Sequence, residues 1–283
     1  MDTGNSIEVK RRSLLKWVRS NGKGFDKVHM QNDEYGGTAL FASTDIQEDE
    51  LIGIVPYNLT FSLESVHLSG PMHLLLRDLY LAPQTPPELI SSMFLIHEAS
   101  RGAESFFAPY IAMLPPASEL TSALFWTEET ARCAPLNTEA RSRAEHLRGY
   151  FERVHERLAT YVLRSPALAE HGAAAGFDPA LFTRERLLWA FAVVMSRAWA
   201  DSAYRPRQSF YRTVPLADIA NHRGWPAGSD EGGGGGGGGG AAMMVELRPE
   251  EGLVYCWCRG GGGFRRGEEI LTTCAPPQRE EQT

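Results

Sequence analysis

The chain has 283 residues with a formal net charge of −7, 43% hydrophobic and 22% charged residues. That is the balance of an ordinary soluble globular protein of one large or two moderate domains. The negative charge excludes a nonspecific nucleic-acid binder. No run approaches the ~18 apolar residues of a membrane span, so no membrane contact is expected.

Four cysteines, Cys133, Cys256, Cys258 and Cys274, are too few for a disulfide scaffold of this size, so a reducing compartment is expected. Cys256 and Cys258 form C-x-C within an alternating run, which turns both side chains to one face and fits core packing. No second cysteine or histidine pair follows at zinc spacing, so no metal site is expected. The start, MDTGNSIEVKRR, lacks an apolar h-region and contains acids, unlike a secretory signal. A monomer in the cytoplasm or nucleus is expected, with an organelle the remaining option.

Residues 6–20 have the spacing of an amphipathic helix, with Ile7, Leu14, Leu15, Trp17 and Val18 on its apolar side and Asn21-Gly22 at its end. Residues 26–65 are strand-like. Gly36-Gly37 marks a turn, residues 39–42 form a short apolar run, 45–50 a polar turn, and 51–56 a buried strand stopped by proline. From Thr85-Pro86-Pro87-Glu88, a capping pattern with proline at the first helical position, the period becomes helical. Leu89, Met93 and Ile96 make the stripe.

The clearest helical period runs over 138–164. Ala140, Ala144, Leu147, Phe151, Val154, Leu158 and Tyr161 recur at three- and four-residue spacing. The mixed charges between them, among them Arg141, Arg148, Glu152 and Arg157, predict a solvated face. A further helix is predicted over 184–199, with Leu187, Phe191, Val194 and Ala198 on one side. Strand character returns at 210–219, 243–247 and 253–258. Residues 229–241 include nine consecutive glycines, Gly232–Gly240, and are expected to be a disordered loop expansion, because glycine loses the most backbone entropy on ordering. Gly260–Gly263 predicts a hairpin tip.

Strands at both ends around a helical block predict an α+β fold of small sheets with a helical insertion. The expected division is 1–92 and 191–275 for the β core, 93–190 for the insert and 276–283 for a tail. Within the second β part, Val214–His222 is an apolar run closed by Asp218, Asn221 and His222. By itself it has the look of a strand end with a capping Asn.

Four blocks together resemble the SET-domain protein methyltransferases, in the branch of Rubisco large-subunit methyltransferase. Gly37–Ile46 resembles the G-x-G-L-x-A-x-x-D-I opening. Pro109–Pro115 with Phe125-Trp126 resembles P-Y-I-x-x-L-P…F-W. Ser196–Trp199 leading into Val214–His222 is similar to S-R-x-F/W followed by P-L-x-D-x-x-N-H. Gly267–Ile270 resembles the G-E-x-I turn. Each block is weak, and their order and spacing make the likeness specific.

The resemblance implies methyl transfer from S-adenosyl-L-methionine to a side-chain nitrogen of a protein substrate, usually lysine. It implies that Asn221 and His222 contact the cofactor, that Arg197 and Asp218 lie beside it, and that Thr38 and Leu40 contribute backbone groups. Two departures stand out. The second glycine of G-x-G is Ala39, and the family's catalytic tyrosine position holds Cys274, whose thiol lacks a phenol's reach. The family's C-terminal helical substrate-binding domain is expected to be missing from this stretch. A degenerate SET module that binds cofactor or a partner without catalysis is the alternative.

Overall fold

The computed structural model describes residues 3–62, 65, 72–82, 85–133, 139–201, 210–222 and 240–272. In chain order the helices and strands are α1 (Thr3–Asn21), β1 (Lys23–Gly24), β2 (Val28–Asn32), β3 (Thr38–Ala42), β4 (Leu51–Pro56), α2 (Met72–Leu81), α3 (Pro87–Ser100), α4 (Ala108–Ile111), α5 (Glu128–Cys133), α6 (Glu139–Thr160), α7 (Pro166–His171), α8 (Arg184–Arg197), β5 (Ala198–Asp201), β6 (Phe210–Thr213), β7 (Ala242–Arg248) and β8 (Leu253–Arg259), with short 3-10 turns between them. This is an α+β fold, as the alternation of periods predicts. It divides into two compact units, 1–59 with 214–283, and 60–213.

The first unit holds a four-stranded antiparallel sheet in the order β1-β4-β8-β7 and the separate hairpin β2-β3. β8 reads LVYCWCR, and its alternation buries Val254, Cys256 and Cys258 while the residues between stay partly exposed. The two cysteines do share one face, and Cys256 is so fully desolvated that its thiol is pushed up to about 12. A register shift between Leu51 and Gly53 bends β4 against β8. Gly53 is needed there, because a Cβ would lie 2.3 Å from the Phe25 ring. Helix α1 buries Arg11, Leu14 and Val18 at helical spacing.

The second unit is mainly helical and adds the hairpin β5-β6. Helix α3 is buried on almost every side, with Phe94 stacked on Phe61 at 4.2 Å and edge-on to Phe107 at 5.6 Å. Helix α6 buries Ala144, Phe151, Val154 and Leu158. The structure corrects several readings here. Tyr161 is exposed, because α6 ends at Thr160. Ala198 begins β5 and is not helical. Arg148 is not merely solvated, since it donates to the carbonyls of Ala123 and Trp126 at 3.0 Å each and so ties α6 to the Phe125-Trp126 segment. Helix α2 has no counterpart in the sequence reading. Among the described residues no helix is long and apolar enough to cross a membrane, and no cluster of ligating side chains could hold a metal.

Candidate cofactor site

The site is built on one edge of β3. At the two ends of the β2-β3 ladder, the Asp33 backbone N–H donates to the Gly37 carbonyl at 2.9 Å and the Ser43 backbone N–H to the Lys27 carbonyl at 2.7 Å. Counting inward from both ends, Thr38, Leu40 and Ala42 occupy non-hydrogen-bonded positions of that ladder. Their backbone groups therefore point away from β2. On that outer edge the extended segment 268–272 pairs with β3. Ala42 donates to the Glu268 carbonyl at 2.9 Å, and Ile270 to the Leu40 carbonyl at 2.7 Å. Past Ile270 the same alternation points the Thr38 N–H and C=O and the Leu40 N–H at this edge.

Segment 268–272 also gathers two distant pieces of chain. Met243 donates to the Leu271 carbonyl at 2.7 Å, and Thr272 donates its N–H to the Asn221 carbonyl at 2.8 Å and its hydroxyl to the Met243 carbonyl at 3.0 Å. His222 and Met243 each form a parallel bridge with Thr272. The Val214–His222 run is delivered by a sharp bend. Leu216 is fully buried at φ 75° and ψ −45°, a conformation that a branched residue adopts only under tertiary constraint. The chain then makes a 3-10 turn over 217–219. The expected strand end is thus a β6 strand, a strained bend and a turn.

The structure brings Thr38, Leu40, Asn221 and His222 onto elements joined by segment 268–272. Asp218 is half-buried in the adjacent turn, with its N–H donated to the Val214 carbonyl at 3.0 Å. His222 is exposed, so it is not a buried structural histidine. Arg197 is the last residue of α8, in the second unit, where a cation suits the helix C-terminus. Cys274 lies outside the described residues, as do Gly232–Gly239 and the tail after Thr272.

Asp33, Glu269 and Arg11 also shape this edge, in roles that escaped the sequence reading. Asn221 donates its Nδ2 to Asp33 Oδ2 at 3.1 Å and to Glu269 Oε1 at 2.8 Å. Asp33 Oδ1 also accepts from the N–H groups of Tyr35 at 2.9 Å and Gly37 at 2.8 Å. Desolvation pushes the Asp33 carboxyl up. Hydrogen bonds from Asn221 and from the backbone of Gly37, Tyr35 and Gly36 more than reverse this, so it ionises below the ordinary aspartate value. Behind the edge, buried Arg11 donates to the Thr38 hydroxyl at 2.9 Å, to Asn32 Oδ1 and to Glu8 at 2.6 Å. The only signals for these contacts in the sequence are an Asx-turn pattern at Asp33 and a charged residue on the apolar stripe of α1.

No protein-family model and no characterised protein matches the chain by sequence. By structure it is similar to the SET domain of LSMT bound to lysine and AdoHcy, at TM-score 0.67 and 21% identity, covering 96% of this chain and 55% of that one. Rubisco LSMT bound to AdoMet matches at TM-score 0.64 and 21% identity over 93% of this chain and 52% of that one. Rubisco LSMT bound to sinefungin and monomethyllysine matches at 0.65 and 20%, over 95% and 53%. The chain spans about half the length of these structures. At this identity the likeness speaks to architecture, and on that ground the chain has the SET-domain fold.

Proposed function

We propose that this protein is an S-adenosyl-L-methionine-dependent protein methyltransferase acting on a side-chain nitrogen, with lysine the favoured acceptor. The observation that carries the reading is the convergence of Thr38, Leu40, Asn221 and His222 around segment 268–272 within a SET fold. Solved neighbours of that fold hold AdoMet, AdoHcy, lysine or methyllysine.

The donor set fits the cofactor's chemistry. The β3 edge offers backbone N–H and C=O groups for its amino-acid moiety. The half-buried carboxylates of Asp33, Asp218 and Glu269 give the first unit a negative field that favours a ligand carrying ammonium and sulfonium charges. When bound, S-adenosyl-L-methionine would supply an electrophilic methyl group on its sulfonium.

The chain's own part is then to bind, align and exclude water. Thr38 and Leu40 would hold the cofactor by backbone groups, with Asp218, Asn221 and His222 beside them. For Arg197 the support is the resemblance of Ser196–Trp199 alone. The acceptor nitrogen must arrive neutral, because a protonated amine has no lone pair to attack with. At the position of the family's tyrosine, Cys274 offers a shorter and weaker hydrogen-bonding group.

That substitution also supports the second reading, a SET module that binds cofactor or a protein partner without transferring methyl. Incubating the protein with methyl-labelled S-adenosyl-L-methionine and a lysate separates the two. Label on a protein lysine supports the enzyme. Cofactor binding with no label from the native chain, and label after Cys274→Tyr, supports the degenerate module. No label from either chain counts against the methyltransferase reading.

A further inference from the structure

We propose that Asp33 is a positioning residue that locks both sides of the cofactor edge, acting through Asn221 and the turn before β3. This rests on the cofactor reading above and deepens it.

The geometry is a single carboxylate with its two oxygens committed to different parts of the chain. Oδ1 accepts from the Tyr35 and Gly37 N–H groups and closes the turn from which Thr38 emerges. Oδ2 accepts from Asn221, whose second amide hydrogen goes to Glu269 and whose carbonyl takes the Thr272 N–H. The turn is fitted to this carboxylate, because a Cβ on Gly37 would lie 2.9 Å from Asp33 Oδ2. An ionised carboxylate accepts at both oxygens without donating at either, so an aspartate suits this junction where an amide would not. Asp33 and Asn221 are far apart in sequence. The bond between them ties the Thr38–Leu40 edge directly to the Asn221–His222 turn, beside the link that runs through segment 268–272. Glu269 is the x of G-E-x-I, and its contact gives Asn221 a second anchor.

Asp33→Asn isolates this role. Its Oδ1 still accepts from Tyr35 and Gly37, while its Nδ2 faces the Nδ2 of Asn221, donor against donor. The test is calorimetric titration of the native chain and Asp33→Asn with S-adenosyl-L-methionine and with S-adenosyl-L-homocysteine. Thermal unfolding and amide exchange are measured on the unliganded proteins. We expect cofactor affinity to fall about tenfold or more, the order of losing one charge-assisted hydrogen bond. Exchange at Thr272 should accelerate while the protein stays folded. If Asp33→Asn does not fold, Asp33→Ser serves, since its hydroxyl can accept from the turn and cannot reach Asn221. Native affinity in whichever variant folds overturns the role of Asp33 and leaves the cofactor reading standing. Absence of binding by the native chain overturns both, so the two failures are distinguishable.

Discussion

Thr272 gives its backbone N–H to the carbonyl of Asn221 at 2.8 Å. That bond joins the end of the Val214–His222 run to the residues just after the G-E-x-I block. Neither block identifies a site in isolation. Their meeting beside the β3 edge gathers residues that otherwise cap a turn and close a strand, and the proposed cofactor site rests on it.

The bend that delivers Asn221 carries a measurable strain. Leu216 is buried at φ 75°, where glycine is at ease and alanine is not. In the middle of a helix or strand Gly is less stable than Ala by roughly 0.5–1 kcal/mol. Here the order should invert, with Leu216→Gly more stable than Leu216→Ala by about 1 kcal/mol in urea unfolding. Both should be less stable than the native chain, because each loses a buried leucine side chain.

Arg11 should matter as a scaffold for Thr38. Arg11 is itself buried, and removing it strips donors from half-buried Thr38 and from exposed Asn32 and Glu8. Arg11→Ala should cost about 2–3 kcal/mol of stability by urea unfolding. Arg11→Lys should recover less than half of that, because an ammonium lacks the guanidinium fork. The exposed neighbour Arg12 should tolerate alanine within about 0.5 kcal/mol.

Thiol reactivity should follow burial. Cys133 is exposed, while desolvation raises the thiols of Cys256 and Cys258. Iodoacetamide at about pH 8, near an ordinary thiol's pKa, should label Cys133 in the native protein. Cys256 should react only on unfolding. Mass spectrometry that finds Cys256 modified as fast as Cys133 would contradict the packing of β8.

Asp33 should leave a signature in acid. Its folded pKa lies below the ordinary value, so its contribution to stability is complete above that value. The contribution is lost as pH falls through the depressed folded value. The stability gap between the native chain and Asp33→Asn should therefore be widest near neutrality and close below about pH 4. A gap that stays constant down to about pH 3 would mean that Asp33 is not held as an ion.

Much of the architecture was legible because it obeys simple periods. The alternation of β8 foretold a shared buried face for Cys256 and Cys258, and the period of α6 located Phe151, Val154 and Leu158 correctly. Tyr161 and Ala198 were misplaced because a hydrophobic period does not announce where a helix stops. The bend at Leu216 had no signal, since a leucine at positive φ is imposed by its surroundings. The clamp of Asp33, Asn221 and Glu269 and the support of Thr38 by Arg11 are contacts between distant residues. Periodicity carries no information about such pairs, so only the folded chain displays them.

The central claim is that the edge formed by Thr38, Leu40, Asn221 and His222 holds S-adenosyl-L-methionine. Isothermal titration of the unmodified chain with that cofactor tests it most directly. The account predicts saturable one-to-one binding, with a matching rise in thermal stability as ligand is added. No heat and no stabilisation at millimolar cofactor would contradict it.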